Sequence, residues 1–440
     1  MLGPRLVIAG TSSGVGKTTV ATGLMAAFRR RGLCVASAKV GPDFIDPGYH
    51  AAATGRPGRN LDAWMCGAPA MSPLAARAAQ GCDLLIVEGV MGLFDGAADG
   101  GAASTADVAR LLDAPVVLVV DARSMSQSVA ALVSGYRSFD PTVHVAGVVL
   151  NQVGSENHEI MLREALAAIE MPVFGVLRRD DSLVWRDRHL GLVPVVEHPQ
   201  RVAESLGKLA TLIELGCDLE TLRQLARAAP SMVTEPLAEP QHVGTARIAV
   251  ASGPAFSFCY PDNLEMLTAA GAELIPFDPR RDPLPAGVTG LMAGGGFPEV
   301  FAAELSENVS LLHDLRRRVS NGLVVWAECG GLLWLCRSLD DHKLAGVVEA
   351  KGKMTQRLHL GYRAARTLTE TPLGPAGTEF RGHEFHYSTL TPPGDALQFE
   401  SRFSNRSDGF ATPTVLATYL HIHLATRPDL AESFVRSALP

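Results

Sequence analysis

Ten residues near the start of the chain limit its fold more tightly than any other stretch. Gly10-Thr11-Ser12-Ser13-Gly14-Val15-Gly16-Lys17-Thr18-Thr19 follows the apolar run Leu6-Val7-Ile8-Ala9 and leads into a helical pattern. A strand, a glycine-rich loop and a helix in that order turn successive backbone N–H groups towards phosphate oxygens. The unit belongs to parallel α/β sheets. The strict phosphate-loop spacing asks for glycine where Thr11 stands; here the glycine comes one residue earlier, at Gly10. Gly14 and Gly16 belong to the nucleotide-binding loop, with Lys17 on the β- and γ-phosphates, Thr18 on Mg²⁺ and Thr19 beside it. A glycine-rich turn with an incidental lysine is the plainer alternative. It does not account for the strand before the loop and Gly-Lys-Thr-Thr after it.

Short β-branched runs recur at 6–9, 84–87, 116–120 and 145–150, with helix-like segments between them, as in βαβ units. From 228 to 244 the pattern breaks, and Pro230, Pro236 and Pro240 stand among Ser, Thr, Glu and Gln. We read 228–245 as a linker between a first domain, 1–227, and a second, 246–440. Strand candidates resume at 247–251 and continue at 273–276, 289–292, 323–326 and 415–420. The predicted class is α/β, with two domains, each a mostly parallel sheet flanked by helices. A net charge of −7 without a basic tract argues against a nucleic-acid partner. No apolar stretch approaches the roughly 20 residues of a membrane span. The seven cysteines are odd in number and form no C-x-x-C pair, which argues against a disulfide framework or zinc site and predicts a cytoplasmic location.

Three further features of the first half bear on chemistry. Asp43 and Asp46 stand in Gly41-Pro42-Asp43-Phe44-Ile45-Asp46-Pro47-Gly48-Tyr49-His50; they are metal ligands, substrate-orienting groups or turn formers. Glu88 ends the run Asp83-Leu84-Leu85-Ile86-Val87, at the strand end where open α/β sheets bind ligands; it is a Mg²⁺ ligand or a solvated carboxylate. Asn151 follows the run 145–150 and either reads adenine through its amide or caps a strand.

In the second half, Cys329 follows the apolar run Leu323-Val324-Val325-Trp326 and precedes Gly330-Gly331. A cysteine alone is more often a small buried hydrophobe. A strand, a nucleophile and two glycines instead make an elbow that aims the following N–H at an oxyanion. Met292-Ala293-Gly294-Gly295-Gly296 offers a second donor, and we expect the Gly295 and Gly330 N–H groups to form the hole. Thr418-Tyr419-Leu420-His421-Ile422-His423 supplies an imidazole for Cys329.

The lengthened phosphate loop and the strand ending at Glu88 resemble those of dethiobiotin synthetase, whose relatives transfer a γ-phosphate to a carboxylate. The Cys329 set resembles class I glutamine amidotransferase domains. Their usual triad has a glutamate two residues after the histidine; matching His421 to that histidine puts His423 at the acid's place. The resemblance therefore implies a Cys329–His421 dyad. One family carries both halves in this order, the cobyrinate-type a,c-diamide synthases of corrinoid biosynthesis. The resemblance rests on Lys39 through His50, Asn60-Leu61-Asp62-Ala63-Trp64-Met65, Val87 through Gly96, Gln127-Ser128-Val129-Ala130-Ala131, Arg188-His189-Leu190-Gly191-Leu192-Val193-Pro194, Ala327 through Gly331 and Gly382-His383-Glu384-Phe385-His386-Tyr387-Ser388.

It implies ATP, Mg²⁺, L-glutamine and a tetrapyrrole polycarboxylate, amidated at its a- and c-acetates through an acyl phosphate. It also makes Asp43 a metal ligand and Asp46 a catalytic acid. Tyr49, His383 and His386 become substrate contacts, although a satisfied polar interface accounts equally well for the two histidines. Cobalt-free, cobalt and nickel rings remain open as substrates, and a homodimer is among the open assemblies. Cobyric acid synthase is the neighbouring alternative. A partitioning-type switch ATPase with an inactive glutaminase module is the alternative from another class.

Overall fold

The computed structural model describes residues 1–97, 100–179, 187–188, 191–192, 199–401 and 405–440, which form two units, Met1–Leu237 and Ala238–Pro440. In the first, β1 (Arg5–Gly10), β2 (Val35–Val40), β3 (Arg59–Leu61), β4 (Leu84–Glu88), β5 (Val116–Asp121), β6 (Val145–Val153) and β7 (Val173–Arg178) make one sheet. Every pairing is parallel, in the order β3-β2-β4-β1-β5-β6-β7. β1 and β2 are buried along their whole length, which explains the apolar run 6–9 of β1, while β2 carries the buried Ser37 and Lys39. Helix α1 (Lys17–Arg30) leaves the loop after β1, with Arg29 and Arg30 in its last turn. Helix α2 (Asp46–Thr54) follows β2 and carries Pro47 in its first turn, where a missing N–H costs nothing.

β8 (Asp187–Arg188) and β9 (Gly191–Leu192) form a separate antiparallel pair. The remainder of the motif 188–194, namely His189, Leu190, Val193 and Pro194, lies outside the described residues. The last helix of the unit ends at Ala228 and β10 (Ala246–Ala251) opens the next sheet, so the stretch between them carries no helix or strand. Its start is stitched to the first unit: the buried Arg5 guanidinium donates to Leu112 O, Gly3 O, Asp113 O and Pro230 O at 2.6–3.1 Å.

The second unit contains two sheets. β10, β11 (Ala272–Phe277), β12 (Gly290–Ala293) and β13 (Val324–Glu328) pair in parallel. A second sheet adds β14 (Cys336–Leu339), β15 (His342–Lys343), β16 (Val348–Thr367), β17 (Glu379–Thr391), β18 (Leu397–Glu400) and β19 (Asn405–Asp408). β20 (Phe410–Thr412) and β21 (Val415–Thr418) complete the first sheet, in the order β11-β10-β12-β13-β21-β20, and β22 (His421–Ile422) completes the other. The sequence pattern showed the parallel sheet and missed the second one, which is antiparallel except where β14 pairs with β16. β16 alternates buried and exposed residues only over part of its length, so it offers no continuous apolar run. The antiparallel sheet matters because β17 and β22 place the residues 382–388 beside His421.

Candidate active sites

The first site lies where β1 ends between β4 and β5. Gly14 and Gly16 take left-handed backbone, φ 78° and 98°, which a side chain disfavours. A Cβ at Gly16 would stand 2.2 Å from Asn151 Nδ2, so the loop closes against that amide. Asn151, the residue expected to read adenine, braces the loop by donating its amide to Val15 O at 2.9 Å, while its oxygen accepts the N–H of Gln152, the next residue of β6. Lys17 Nζ donates to Ser12 O at 2.9 Å, folded over the loop. Burial, then the neighbouring Lys39 ammonium, lowers its pKa to about 8. Thr19 is half-buried on the first turn of α1.

Acids gather on the far side of Lys17. Thr18 Oγ1 donates to Glu88 Oε1 at 2.6 Å and lies 3.4 Å from Asp46 Oδ2. Lys39 Nζ sits between the same two carboxylates, 2.6 Å from Asp46 and 2.8 Å from Glu88. His50 Nε2 is 2.6 Å from the other oxygen of Glu88. All four side chains are nearly or fully buried, so each charge depends on its partners. Burial alone would raise Glu88, but Lys39 and His50 hold it well below the usual carboxylate range. Burial, with Asp43 and Glu88 close by, pushes Asp46 up despite Lys39. A hydroxyl and two carboxylates form the oxygen-donor set that suits Mg²⁺, which takes one or two carboxylates and completes its shell with phosphate and water.

Asp43 is placed differently from Asp46. Its Oδ1 accepts the N–H groups of Ile45 and Asp46 at 2.8 and 3.0 Å, an Asx-type turn that starts α2. Asn60 holds this loop from behind, donating to Gly41 O and Asp43 O. Tyr49 is buried on α2. Lys39 and His50 lie in the quoted motif, but nothing local to them in sequence points to a role. Lys39 pairs in register with Glu88 across β2 and β4, a non-local fact.

The second site is built on the end of β13. Cys329 adopts φ 47° and ψ −98°, a strained backbone for a residue with a side chain. The two glycines explain how the turn packs. A Cβ at Gly331 would lie 2.2 Å from Ala293 O, and Gly331 N–H donates to Gly294 O at 2.9 Å. The nucleophile is buried, with Sγ 3.9 Å from Phe385 O. Cys329 and His421 are close enough to interact electrostatically. Burial lowers the imidazole's pKa, but Cys329 and Glu328 outweigh it and raise it to about 9.

His423 faces elsewhere. Its Nδ1 accepts from Ala425 N–H at 3.3 Å and its Nε2 is 4.0 Å from Asp262 Oδ2. Glu328, to which sequence reasoning gave no part, is buried with Oε2 3.6 Å from His421 Nδ1. The expectation for Gly295 needs correction. Its N–H donates to Phe258 O at 3.0 Å, and Phe258 N–H donates back, so that amide is already paired. The neighbouring Gly296 nitrogen instead lies 3.1 Å from where a Cβ on Gly330 would stand. Gly330 N–H opens the helix after the elbow and needs no intrahelical partner.

His383 stacks on His421 at 4.9 Å, and burial, then His421, keeps its pKa well below the usual value. A Cβ at Gly382 would meet His421 O at 2.3 Å, so this glycine lets β22 approach β17. His386 is sandwiched between His359 and Tyr419, with centroids at 4.9 and 3.6 Å. Both histidines expected at substrate thus surround the cysteine site's own histidine and tyrosine.

Residues 6–192 match the CobQ/CobB/MinD/ParA nucleotide binding domain family, and residues 247–429 the CobB/CobQ-like glutamine amidotransferase domain family. The hydrogenobyrinate a,c-diamide synthase of Streptomyces coelicolor is 49% identical over 98% of this chain and 97% of its own. That of Thermobifida fusca is 45% identical, over 98% and 96%. A cobyrinate a,c-diamide synthase of Dehalococcoides mccartyi is 42% identical, over 98% of each chain.

Proposed function

The chain belongs to the hydrogenobyrinate and cobyrinate a,c-diamide synthase family, and from that premise we infer how its residues divide the work. It is an ATP-dependent amide ligase that takes nitrogen from glutamine and amidates corrinoid carboxylates. The observation that carries the division of labour is the presence, in one chain, of a phosphate-loop acid cluster and a strained cysteine electrostatically coupled to a histidine.

In the first unit the loop amides and Lys17 hold the triphosphate. A substrate acetate oxygen attacks the γ-phosphorus, ADP leaves, and the carboxylate becomes an acyl phosphate. Thr18, Glu88 and Asp46 would hold Mg²⁺, which supplies charge neutralisation to the phosphates when bound. Asp46 aligns the incoming acetate. Lys39 stabilises the two acids against each other, since two adjacent buried carboxylates cannot both stay ionised unaided.

In the second unit Cys329 sulfur attacks the glutamine amide carbon, and His421 delivers a proton to the leaving ammonia. Water then hydrolyses the thioester to glutamate. Gly330 and Gly296 N–H groups serve the oxyanion. Ammonia attacks the acyl phosphate carbon and phosphate leaves, giving the amide.

A cobalt-free ring is the proposed substrate, supported by the names of the Streptomyces and Thermobifida relatives. Among the described residues no helix is long and apolar enough to cross a membrane. A reducing cytoplasm suits Cys34 and Cys82, free thiols whose sulfurs lie 2.9 Å apart. The test incubates the protein with hydrogenobyrinate or cobyrinate, ATP, Mg²⁺ and glutamine, and counts amides by mass. Two amides on hydrogenobyrinate are expected; faster amidation of cobyrinate reverses the metal assignment, and no amide on either ring defeats the reading.

A further inference from the structure

We propose that Glu328, the residue immediately before the nucleophile, is the carboxylate that orients the His421 imidazole. The inference rests on the glutaminase reading of Cys329 and His421. The position two residues after His421 is occupied by His423, whose nitrogens face Ala425 N–H and Asp262. Glu328 reaches the histidine by another route. In the parallel pairing of β13 with β21 it stands in register with Thr418, three residues ahead of His421. From there its Oε1 accepts Ile422 N–H at 2.9 Å, and its Oε2 lies 3.6 Å from His421 Nδ1. Burial raises the Glu328 pKa, and His421 with the Ile422 N–H draws it partly back down.

The anchored oxygen fixes where the second one points. Engaging Nδ1 leaves Nε2, which faces Gly295, for the sulfur side of the ring. A distance of 3.6 Å is long for a hydrogen bond and is of the kind that shortens when substrate arrives. The groups facing His421 are Cys329 and Glu328 on the elbow and His383 stacked from β17. Cys259 also feels Glu328. His383 stays uncharged through burial and His421, so Cys329 and Glu328 are the groups that balance an imidazolium here, and Glu328 is the carboxylate of the two. A buried carboxylate without such a partner would be strongly disfavoured. The pair therefore accounts for an acid at a site that is otherwise apolar strand.

Glu328→Gln tests the assignment because it keeps the shape and an oxygen for Ile422 N–H while removing the charge. Histidine ring NMR follows the titration of His421, identified by the signal lost in His421→Gln. The wild-type midpoint is expected above the usual imidazole range, at about 9. Glu328→Gln should lower it by about one unit or more, and Glu328→Asp should recover part of the shift. Glutamine hydrolysis should fall about 10²-fold or more in Glu328→Gln, with its alkaline limb moved to lower pH. An unchanged midpoint overturns the proposal. So does a loss of hydrolysis accompanied by a lower Tm but an unmoved limb, which is what a purely structural residue would give. Were the wild-type protein to release no glutamate at all, the glutaminase reading would fail, while the NMR titration would still decide whether Glu328 governs His421.

Discussion

Gly295→Ala offers a direct measure of how tightly the cysteine site is assembled. A Cβ on Gly295 would stand 2.4 Å from His421 Cε1, 3.2 Å from Nε2 and 3.3 Å from Phe258 Cβ. An ordinary carbon–carbon contact is about 3.5–4 Å, so the ring must retreat by about 1 Å. It has little room to do so, because His383 stacks on it and Gly382 admits the backbone of β22 with no space to spare. Overpacking of this kind costs about 1–3 kcal/mol. A 1 Å misplacement of a reacting group costs about 10²-fold in rate. Glutamate release from glutamine should therefore fall about 10²-fold while amidation with free ammonia, which uses the phosphate-loop site, continues. A coupled glutamate assay and ammonia-dependent amidation on the same preparation check both halves. Glutamine hydrolysis within threefold of wild type would refute the geometry, since His421 would then not depend on the space above Gly295.

Other substitutions separate the two sites. Cys329→Ser should abolish glutamine-dependent amidation and keep the ammonia-dependent reaction at raised pH; His421→Ala should follow it, and His423→Ala should be milder, all read by amide counting. Lys17→Ala should lower amidation with either nitrogen source by more than about 10²-fold. In the wild type, Lys17 carries its charge below about 8 and loses it as pH rises through that value, so calorimetric affinity for ATP should weaken on the alkaline side. Flat affinity up to about pH 10, near an unperturbed lysine, would remove that charge from nucleotide binding. Asp46→Asn should stop at the diacid or accumulate the monoamide in a chromatographic time course, and diamide formation at the normal rate would remove Asp46 from the mechanism.

What the sequence disclosed follows from how local each signal is. The phosphate loop was legible because strand, glycines, lysine and helix are contiguous and their chemistry needs no distant partner. Glu88 was legible as the end of an apolar strand. Lys39 and His50 were not, because their meeting with Glu88 depends on β2 lying next to β4 and on α2 folding over both. The cysteine elbow was legible from Cys-Gly-Gly after an apolar run. The direction of the Gly295 N–H was not, since it is set by an isolated bridge to Phe258, far away in sequence. Glu328 was hidden by a different cause. The familiar spacing directs attention beyond the histidine, while the acid comes from the strand beside it.

The two sites share one physical arrangement, which explains why each contains a charge on an apolar strand. Glu88 ends β4 and Glu328 ends β13, both fully or nearly buried, and each meets a cationic partner from a neighbouring element. Such pairs add little net stability, because desolvation offsets most of their attraction. Their effect is positional, since a carboxylate anchored by one oxygen points the other in one direction only. The anchors differ: His50 holds Oε2 of Glu88, leaving Oε1 to Lys39, and Ile422 N–H holds Oε1 of Glu328, leaving Oε2 to His421. Stability must then come from the apolar clusters around the sheets, including Trp326 packed edge-on against Phe434 at 5.7 Å. Glu328 can therefore be exchanged for glutamine with the fold retained, because His421 can give up its proton, whereas Glu88→Gln leaves the buried Lys39 ammonium with Asp46 alone and should lower Tm as well as rate.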